Sequence, residues 1–259
     1  MMKKIVLTIL ISLISLTNNA QITETDNQMF WGIISLSKKV DKKISVSYLQ
    51  LNSIDIKSGK FNFIQSEFSL NYKLKKRLIT SLAYSPTFSL DGVPGNQLIY
   101  HRLSGKIKLK TKVLKRLNMN NSIVGEYHFT QRSKWKQRYY YRLDFEYKNN
   151  RKLPWKMKPF ISQKIYWYQG GRLLQYYDNL GNKTDLKSPN GLHAYRVKTG
   201  VKLYPLKKWN FTIYYQKQKE FNSSLFGSSD INSLNPNSNK IRRSFYDFSV
   251  IGFSCNYKL

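Results

Sequence analysis

The chain has 259 residues, with 44 Lys and Arg against 14 Asp and Glu, a formal net charge of +30 at pH 7. That length suits one large β domain or two small ones, and a single cysteine, Cys255, excludes a scaffold stapled by intramolecular disulfides. The basic excess fits nucleic acid, anionic lipid or an anionic solute as partner, or simply a lysine-rich background composition. No concentrated patch, basic helix or recognition motif accompanies it, so nucleic acid is set aside.

Residues 1–20 read as an export signal. Met1–Lys4 is a basic start, Ile5–Leu16 an apolar core, and Thr17-Asn18-Asn19-Ala20 a polar stretch ending in a small residue before Gln21. The apolar run is shorter than the roughly 18–20 residues of a transmembrane helix, and no later stretch approaches that length. No cysteine lies near the cut, which argues against a lipid anchor. The mature domain is then 21–259.

Beyond a polar lead-in, Met29–Ser37 alternates Phe30, Gly32, Ile34 and Leu36 with Trp31, Ile33 and Ser35, a strand whose facing is ambiguous. A turn at Lys38–Lys43 leads to Ile44–Leu51. The alternation then sharpens, with Phe68, Leu70, Tyr72 and Leu74 opposite Glu67, Ser69, Asn71 and Lys73. After Lys75-Lys76-Arg77, Leu78, Thr80, Leu82 and Tyr84 oppose Ser81, Ala83 and Ser85. Asp91–Asn96 is a turn-rich loop. Ile99, Leu103, Ile107 and Leu109 oppose Tyr100, Arg102, Ser104, Lys106 and Lys108, and Lys110–Arg116 reads as a basic connection. Ile123, Tyr127 and Phe129 oppose Glu126, His128 and Thr130. Next, Tyr139, Tyr141, Leu143, Phe145 and Tyr147 face away from Tyr140, Arg142, Asp144, Glu146 and Lys148. A turn at Asn149–Trp155, a strand at Lys158–Gln169 and a long polar loop at Gly170–Leu192 follow. The clearest hairpin is Tyr195–Gln216, whose arms set Tyr195, Val197, Thr199, Val201, Leu203 and Trp209, Phe211, Ile213, Tyr215 against basic and polar partners. A second long loop, Asn222–Arg243, precedes a closing strand at Phe245–Leu259.

Each arm has about the 9–11 residues of a tilted bilayer-crossing strand. Short basic turns alternate with longer polar loops, as when the two rims of a barrel face different compartments. Tyr84, Phe88, Tyr100, Trp155, Trp167, Tyr168, Trp209 and Phe221 crowd strand ends, where aromatic rings meet the headgroups. The fold predicted is therefore all-β: a single antiparallel up-and-down transmembrane β-barrel of 10–12 strands in an outer membrane. Eleven strands of spanning length can be counted; the even number usual for bacterial barrels argues for ten or twelve, with the first strand and the Gly170–Leu192 loop as the doubtful places. The competing reading is a soluble barrel or sandwich with the same alternation turned apolar-in.

In the membrane reading Glu67, Lys73, Arg102, Lys106, Glu126, Arg142, Asp144, Glu146, Arg196, Lys198 and Lys202 face the lumen, because Lys or Arg on the lipid side costs about 2–4 kcal/mol at mid-bilayer. Arg142, Asp144 and Glu146 are expected to pair with Arg196 and Lys198 and plug the lumen, or excess cations to line a narrow anion path.

Gln97–Leu103, Tyr141–Tyr147 and the Val201–Tyr215 hairpin resemble domain-of-unknown-function family 2490, exported outer-membrane barrels of Bacteroidota. The resemblance runs over most of the mature chain as a pattern of strands and implies the barrel and its location, with no activity attached.

No cofactor or metal site is indicated: His101, His128 and His193 lie on different strands without Cys or carboxylate at ligand spacing. His101 with Ser104, or His128 with Ser122, are the Ser/His pairs that an outer-membrane lipid hydrolase would need. The leading expectation is a non-enzymatic narrow pore or surface scaffold. A lipid hydrolase and a binder of anionic glycolipid are the alternatives, with outer-membrane lipids and anionic solutes or glycolipids as partners.

Overall fold

A computed structural model describes residues 27–90, 97–114, 116–147, 154–178, 180–232 and 234–259. The export signal read at 1–20, the loop 91–96 and most of the turn at 149–155 lie outside the described residues. The strands are β1 Asn27–Lys39, β2 Ile44–Asp55, β3 Phe61–Lys75, β4 Leu78–Leu90, β5 Gln97–Leu114, β6 Leu117–His128, β7 Trp135–Tyr147, β8 Lys158–Gly170, β9 Leu174–Tyr177, β10 Lys183–Lys187, β11 Gly191–Leu203, β12 Trp209–Glu220, β13 Leu234–Asn235, β14 Lys240–Ile241 and β15 Phe248–Lys258. Eleven of them close into one barrel in the order β1-β15-β12-β11-β8-β7-β6-β5-β4-β3-β2. The four short strands form two hairpins, β9–β10 and β13–β14, outside the barrel wall.

Chain neighbours pair antiparallel around the wall, and the circle closes by a parallel pair, β1 with β15, in unbroken register from Asn27↔Phe248 to Ser37↔Lys258. Among the described residues the count is thus eleven, and the adjustment to an even number is corrected. An odd number of up-and-down strands leaves the first and last pointing the same way, so closure is parallel. The first strand is a full barrel member. Among its described residues, the Gly170–Leu192 loop contributes an external hairpin, and only its ends belong to wall strands, Gly170 to β8 and Gly191–Leu192 to β11.

Further boundaries move, among them the start of the closing strand, which is Phe248 in place of Phe245. The basic stretch expected as a connection at Lys110–Arg116 continues β5 to Leu114, paired with Leu117 of β6. Gly191 and Leu192, read as loop, begin β11 opposite Tyr168 and Trp167.

The wall has a wet inside and an apolar outside. Along β3, Gln65, Glu67 and Ser69 are shielded while Phe68 and Leu70 are exposed, as strand alternation requires. The outward set is contiguous around the wall: Leu70 lies opposite Leu82, Ile107 opposite Ile123, Ile123 opposite Tyr141, and Tyr215 opposite Ile251. Ile107 is 56% and Ile123 65% exposed. A belt of bare aliphatic and aromatic groups on every side is what lipid covers, and it excludes the apolar-in alternative. Among the described residues no helix is long and apolar enough to cross a membrane; the strands cross it.

The rims differ. Turns at 40–43, 76–77 and 204–208 are short, whereas 129–134, 171–190 and 221–247 form a loop-rich rim at the other end. Asp41 tightens the first short turn by accepting from the Lys43 and Ile44 amides at 2.5 and 2.6 Å. Those amide bonds hold its carboxyl below the usual range. Trp155 and Trp209 stand exposed at the short-turn rim, and Tyr84 and Phe88 are exposed on the outer wall. Tyr100 and Tyr168 turn inward instead, so they leave the expected aromatic girdle: Tyr100 lies under Arg132, 4.1 Å from ring centre to guanidinium, and Tyr168 is buried.

One inward aromatic sets the local wall geometry. Tyr214 lies between Gly200 and Gly252 in register. A Cβ on Gly252 would fall 2.0 Å from Tyr214 Cζ, and one on Gly200 2.3 Å from the Ile213 carbonyl oxygen. The two glycines give the ring its place.

Candidate functional site: the basic chamber inside the barrel

The inward faces enclose a cavity of about 800 Å³. Its charges follow strand register in successive tiers, each of which climbs around the wall with the tilt of the strands.

The middle layer is balanced. Arg138 donates to Glu126 through Nε at 2.7 Å and approaches it through Nη2 at 2.6 Å. Arg102 reaches Glu126 at 3.5 Å with one amine and Glu67 at 3.3 Å with the other, where Ser85 also donates to Glu67 at 3.0 Å. His128 Nε2 lies 3.6 Å from Glu126. Two guanidiniums and two carboxylates offset each other here, as buried charges must.

The next layer toward the short-turn rim is not balanced. Register carries one row from Lys108 on β5 through Ser122 to Arg142 on β7, Lys164 on β8, Arg196 on β11 and Gln218 on β12. Lys106 and Lys198 lie two residues to either side of that row. Asp144, 2.7 Å from Arg142 Nε, is the carboxylate at this level. Among the described residues, no ion pair joins Lys106, Lys108, Lys164, Arg196 or Lys198 to a carboxylate. Aromatic faces and one amide take that place. Lys164 Nζ lies 4.6 Å from the centre of the Tyr140 ring and Lys198 Nζ 3.3 Å from that of Tyr214. Arg196 sits 5.3 Å from both Tyr166 and Phe248, and its Nε donates to Gln218 at 3.0 Å. A ring face attracts a cation without cancelling its charge.

Below it, near the short-turn rim, Glu146 contacts Lys202 and lies 4.0 Å from Lys158.

At the opposite end the loops form a roof. Glu220 accepts from Tyr168 Oη at 3.0 Å and the Tyr246 amide at 2.8 Å and contacts Lys134. Lys134 also donates to the Ser244 carbonyl at 2.7 Å. Arg243 donates to the carbonyls of Ser133, Arg172 at 2.7 Å and Leu173 at 3.2 Å, drawing three loops together. Burial pushes its guanidinium pKa down from the ordinary value, with Arg172 adding to the effect. Gly171 permits this closeness, since a Cβ there would lie 2.6 Å from the Lys134 backbone.

Of the charges assigned to the lumen by alternation, Glu67, Arg102, Lys106, Glu126, Arg142, Arg196 and Lys198 line this cavity. Asp144 and Glu146 lie farther along β7 toward the short-turn rim, and Lys202 joins Glu146 there. Lys73 is on the same face of β3 but is exposed near that rim. The expected pairing of Arg142, Asp144 and Glu146 with Arg196 and Lys198 is corrected. Register sets Arg196 between Lys164 and Gln218, and it sets Lys198 between Ser162 and Gln216, so the carboxylates of β7 are taken by Arg142, Lys158 and Lys202. Lys164 belongs to the row and was within reach of the sequence, because Ser162, Lys164 and Tyr166 alternate with Ile161 and Ile165. Lys134 and Glu220 carry no such signal; they meet across 86 positions through loops.

Neither Ser/His pair is assembled. His101 sits on the outer wall with Nδ1 2.6 Å from Tyr84 Oη, while Ser104 faces the cavity. His128 and Ser122 both face inward but are six residues apart on β6, roughly 20 Å along a strand. His193 is buried under the roof, 3.3 Å from the Phe221 carbonyl. No cluster of three or more metal-ligating side chains occurs among the described residues.

No protein-family model matches the chain, and no curated protein matches it. Among solved structures the chain is similar to the copper transporter OprC, at 10% identity and a TM-score of 0.25. The match covers 88% of this chain and 43% of that one, so the chain spans less than half the length of that protein.

Proposed function

We propose that the protein is an outer-membrane barrel, exported through a cleaved signal and surrounded by outer-membrane lipid, whose basic chamber binds and conducts anionic solutes. The observation that carries this reading is the row Lys108, Arg142, Lys164 and Arg196, four inward cations joined in register through β5, β6, β7, β8 and β11, with Asp144 as the acidic partner of Arg142. Cations in a low-dielectric enclosure focus a field that raises the local anion concentration, and a ring of basic side chains is how pores favour anions. Aromatic support holds these groups in place while leaving them attractive to a passing anion. The balanced pairs around Glu126 and Glu67 supply rigidity above the row. The resemblance to family 2490 supports the location.

Single-channel recording of the refolded mature protein in planar bilayers tests this, with heat-modifiable gel mobility as the folding control. The expected result is small discrete steps whose reversal potential under a KCl gradient reports anion selectivity. Arg196→Glu with Lys198→Glu is expected to abolish or invert that selectivity. Silence from a folded barrel, or cation selectivity, would overturn the proposal.

A further inference from the structure

Arg142, Lys164, Arg196 and Lys198 line one stretch of the chamber wall, and the stretch beside it is apolar. Met29 on β1, Tyr214 on β12 and Phe248 and Val250 on β15 form a buried cluster, with Trp31 and Ile33 packed against it. Trp31 extends the surface to Phe63, the ring centres being 6.1 Å apart, and to Phe248 at 6.0 Å. The two stretches meet at Arg196 and Lys198, because Arg196 lies on Phe248 and Lys198 on Tyr214. Inward positions of a membrane barrel are ordinarily polar, so this aromatic and aliphatic shelf sets the chamber apart from a plain ion conduit.

Among the described residues, three buried polar atoms at that junction have no hydrogen-bond partner: Gln216 Nε2, Tyr214 Oη and Trp31 Nε1. Gln216 and Tyr214 are each only 3% exposed, and Gln216 stands in register beside Lys198. Leaving such groups unpaired is costly. All three can donate, as do Arg196 and Lys198, so the missing partner is an acceptor. A carboxylate, acceptor-only when ionised, meets that set.

We infer that the chamber takes an organic anion of fatty-acid type. Its carboxylate would sit among Arg196, Lys198 and Gln216, and its apolar body along Tyr214, Phe248 and Trp31. This inference rests on the anion reading above and adds the body of the ligand to it. The volume of about 800 Å³ is in the range of pockets that enclose ligands of that size, roughly 300–1,000 Å³.

The test uses the full mature chain in lipid nanodiscs and 12-bromododecanoate, whose bromine quenches nearby tryptophan. The signal read is the quench present in the native chain and absent in Trp31→Phe, which removes contributions from the exposed tryptophans. The expected result is a saturable quench that dodecanoate reverses and that acetate or dodecanol at equal concentration does not. Shortening the competitor should weaken it about tenfold per two methylenes, and Arg196→Gln with Lys198→Gln should weaken binding tenfold or more. Acetate competing as well as dodecanoate would overturn the apolar half while leaving an anion site standing. Dodecanol competing equally, with no effect of Arg196→Gln and Lys198→Gln, would remove the anion site as well. Absence of any Trp31-dependent quench in a chain of native gel mobility would overturn the inference outright.

Discussion

Replacing Ile123 by Arg distinguishes a lipid-facing wall from a water-facing one. Ile123 is the seventh of the twelve residues of β6, points outward, and is flanked in register by Ile107 and Tyr141. Its position at mid-strand puts it near the bilayer midplane, where an outward Arg costs about 2–4 kcal/mol. Phe129 is also exposed and lies six residues on, beyond the end of β6. At about 3.3 Å per residue and a tilt of about 40°, that is roughly 15 Å higher, half of a 30 Å hydrocarbon core. There the same substitution costs about 0–1 kcal/mol. On a surface wetted by water, both changes would stay within about 0.5 kcal/mol. The quantity to measure is therefore the difference between Ile123→Arg and Phe129→Arg, expected at about 2–3 kcal/mol from the preceding figures. Urea unfolding of barrels refolded into phosphatidylcholine vesicles reads it, provided the denaturant slopes match. Equal stabilities for the two variants would refute the lipid belt and with it the assignment of inside and outside.

The roof and the wall make their own predictions. Glu220→Ala strands Lys134, whose side chain is only 8% exposed, and is expected to cost about 3–5 kcal/mol locally. Trypsin cleavage at Arg242 and Arg243 should accelerate, and Lys134→Ala added to Glu220→Ala should restore part of the protection. Gly252→Ala drives a methyl into the Tyr214 ring and is expected to lower stability by about 1–3 kcal/mol in the same urea assay; in a Tyr214→Ala background the added cost should vanish.

Alternation made the wall legible. Phe68, Leu70 and Tyr72 against Glu67, Ser69 and Asn71 have one period and one facing, and the same rule gives Arg142, Arg196 and Lys198 their direction. Pairing was not legible, because alternation says which way a side chain points and nothing about which strand lies beside it or at what height. Arg196 and Asp144 both face inward, yet register puts Lys164 and Gln218 beside Arg196. The facing of β1 was hidden for another reason. Its inward residues Trp31 and Ile33 are as apolar as its outward Phe30 and Ile34, since this strand supplies the shelf rather than the basic row. The ambiguity in the sequence was itself the mark of an apolar patch inside the barrel.

That patch also explains how an odd-stranded barrel closes. The β1–β15 seam is parallel, and parallel ladders are slightly weaker per residue than antiparallel ones. Its inner side is where Met29 and Val250 lie directly opposite each other, with Phe248 and Trp31 beside them. Toward the short-turn rim the Ser35 hydroxyl donates to the Asn256 side-chain carbonyl across the same seam. Burial of apolar side chains on the lumen side thus reinforces the one parallel ladder among the described wall strands. The shelf then has two roles in one place: it seals the join between the first and last strands, and it sets an apolar surface against Arg196 and Lys198. A polar substitution such as Met29→Gln should accordingly weaken both the barrel and its hold on an amphiphilic anion, whereas Lys198→Gln should weaken only the second.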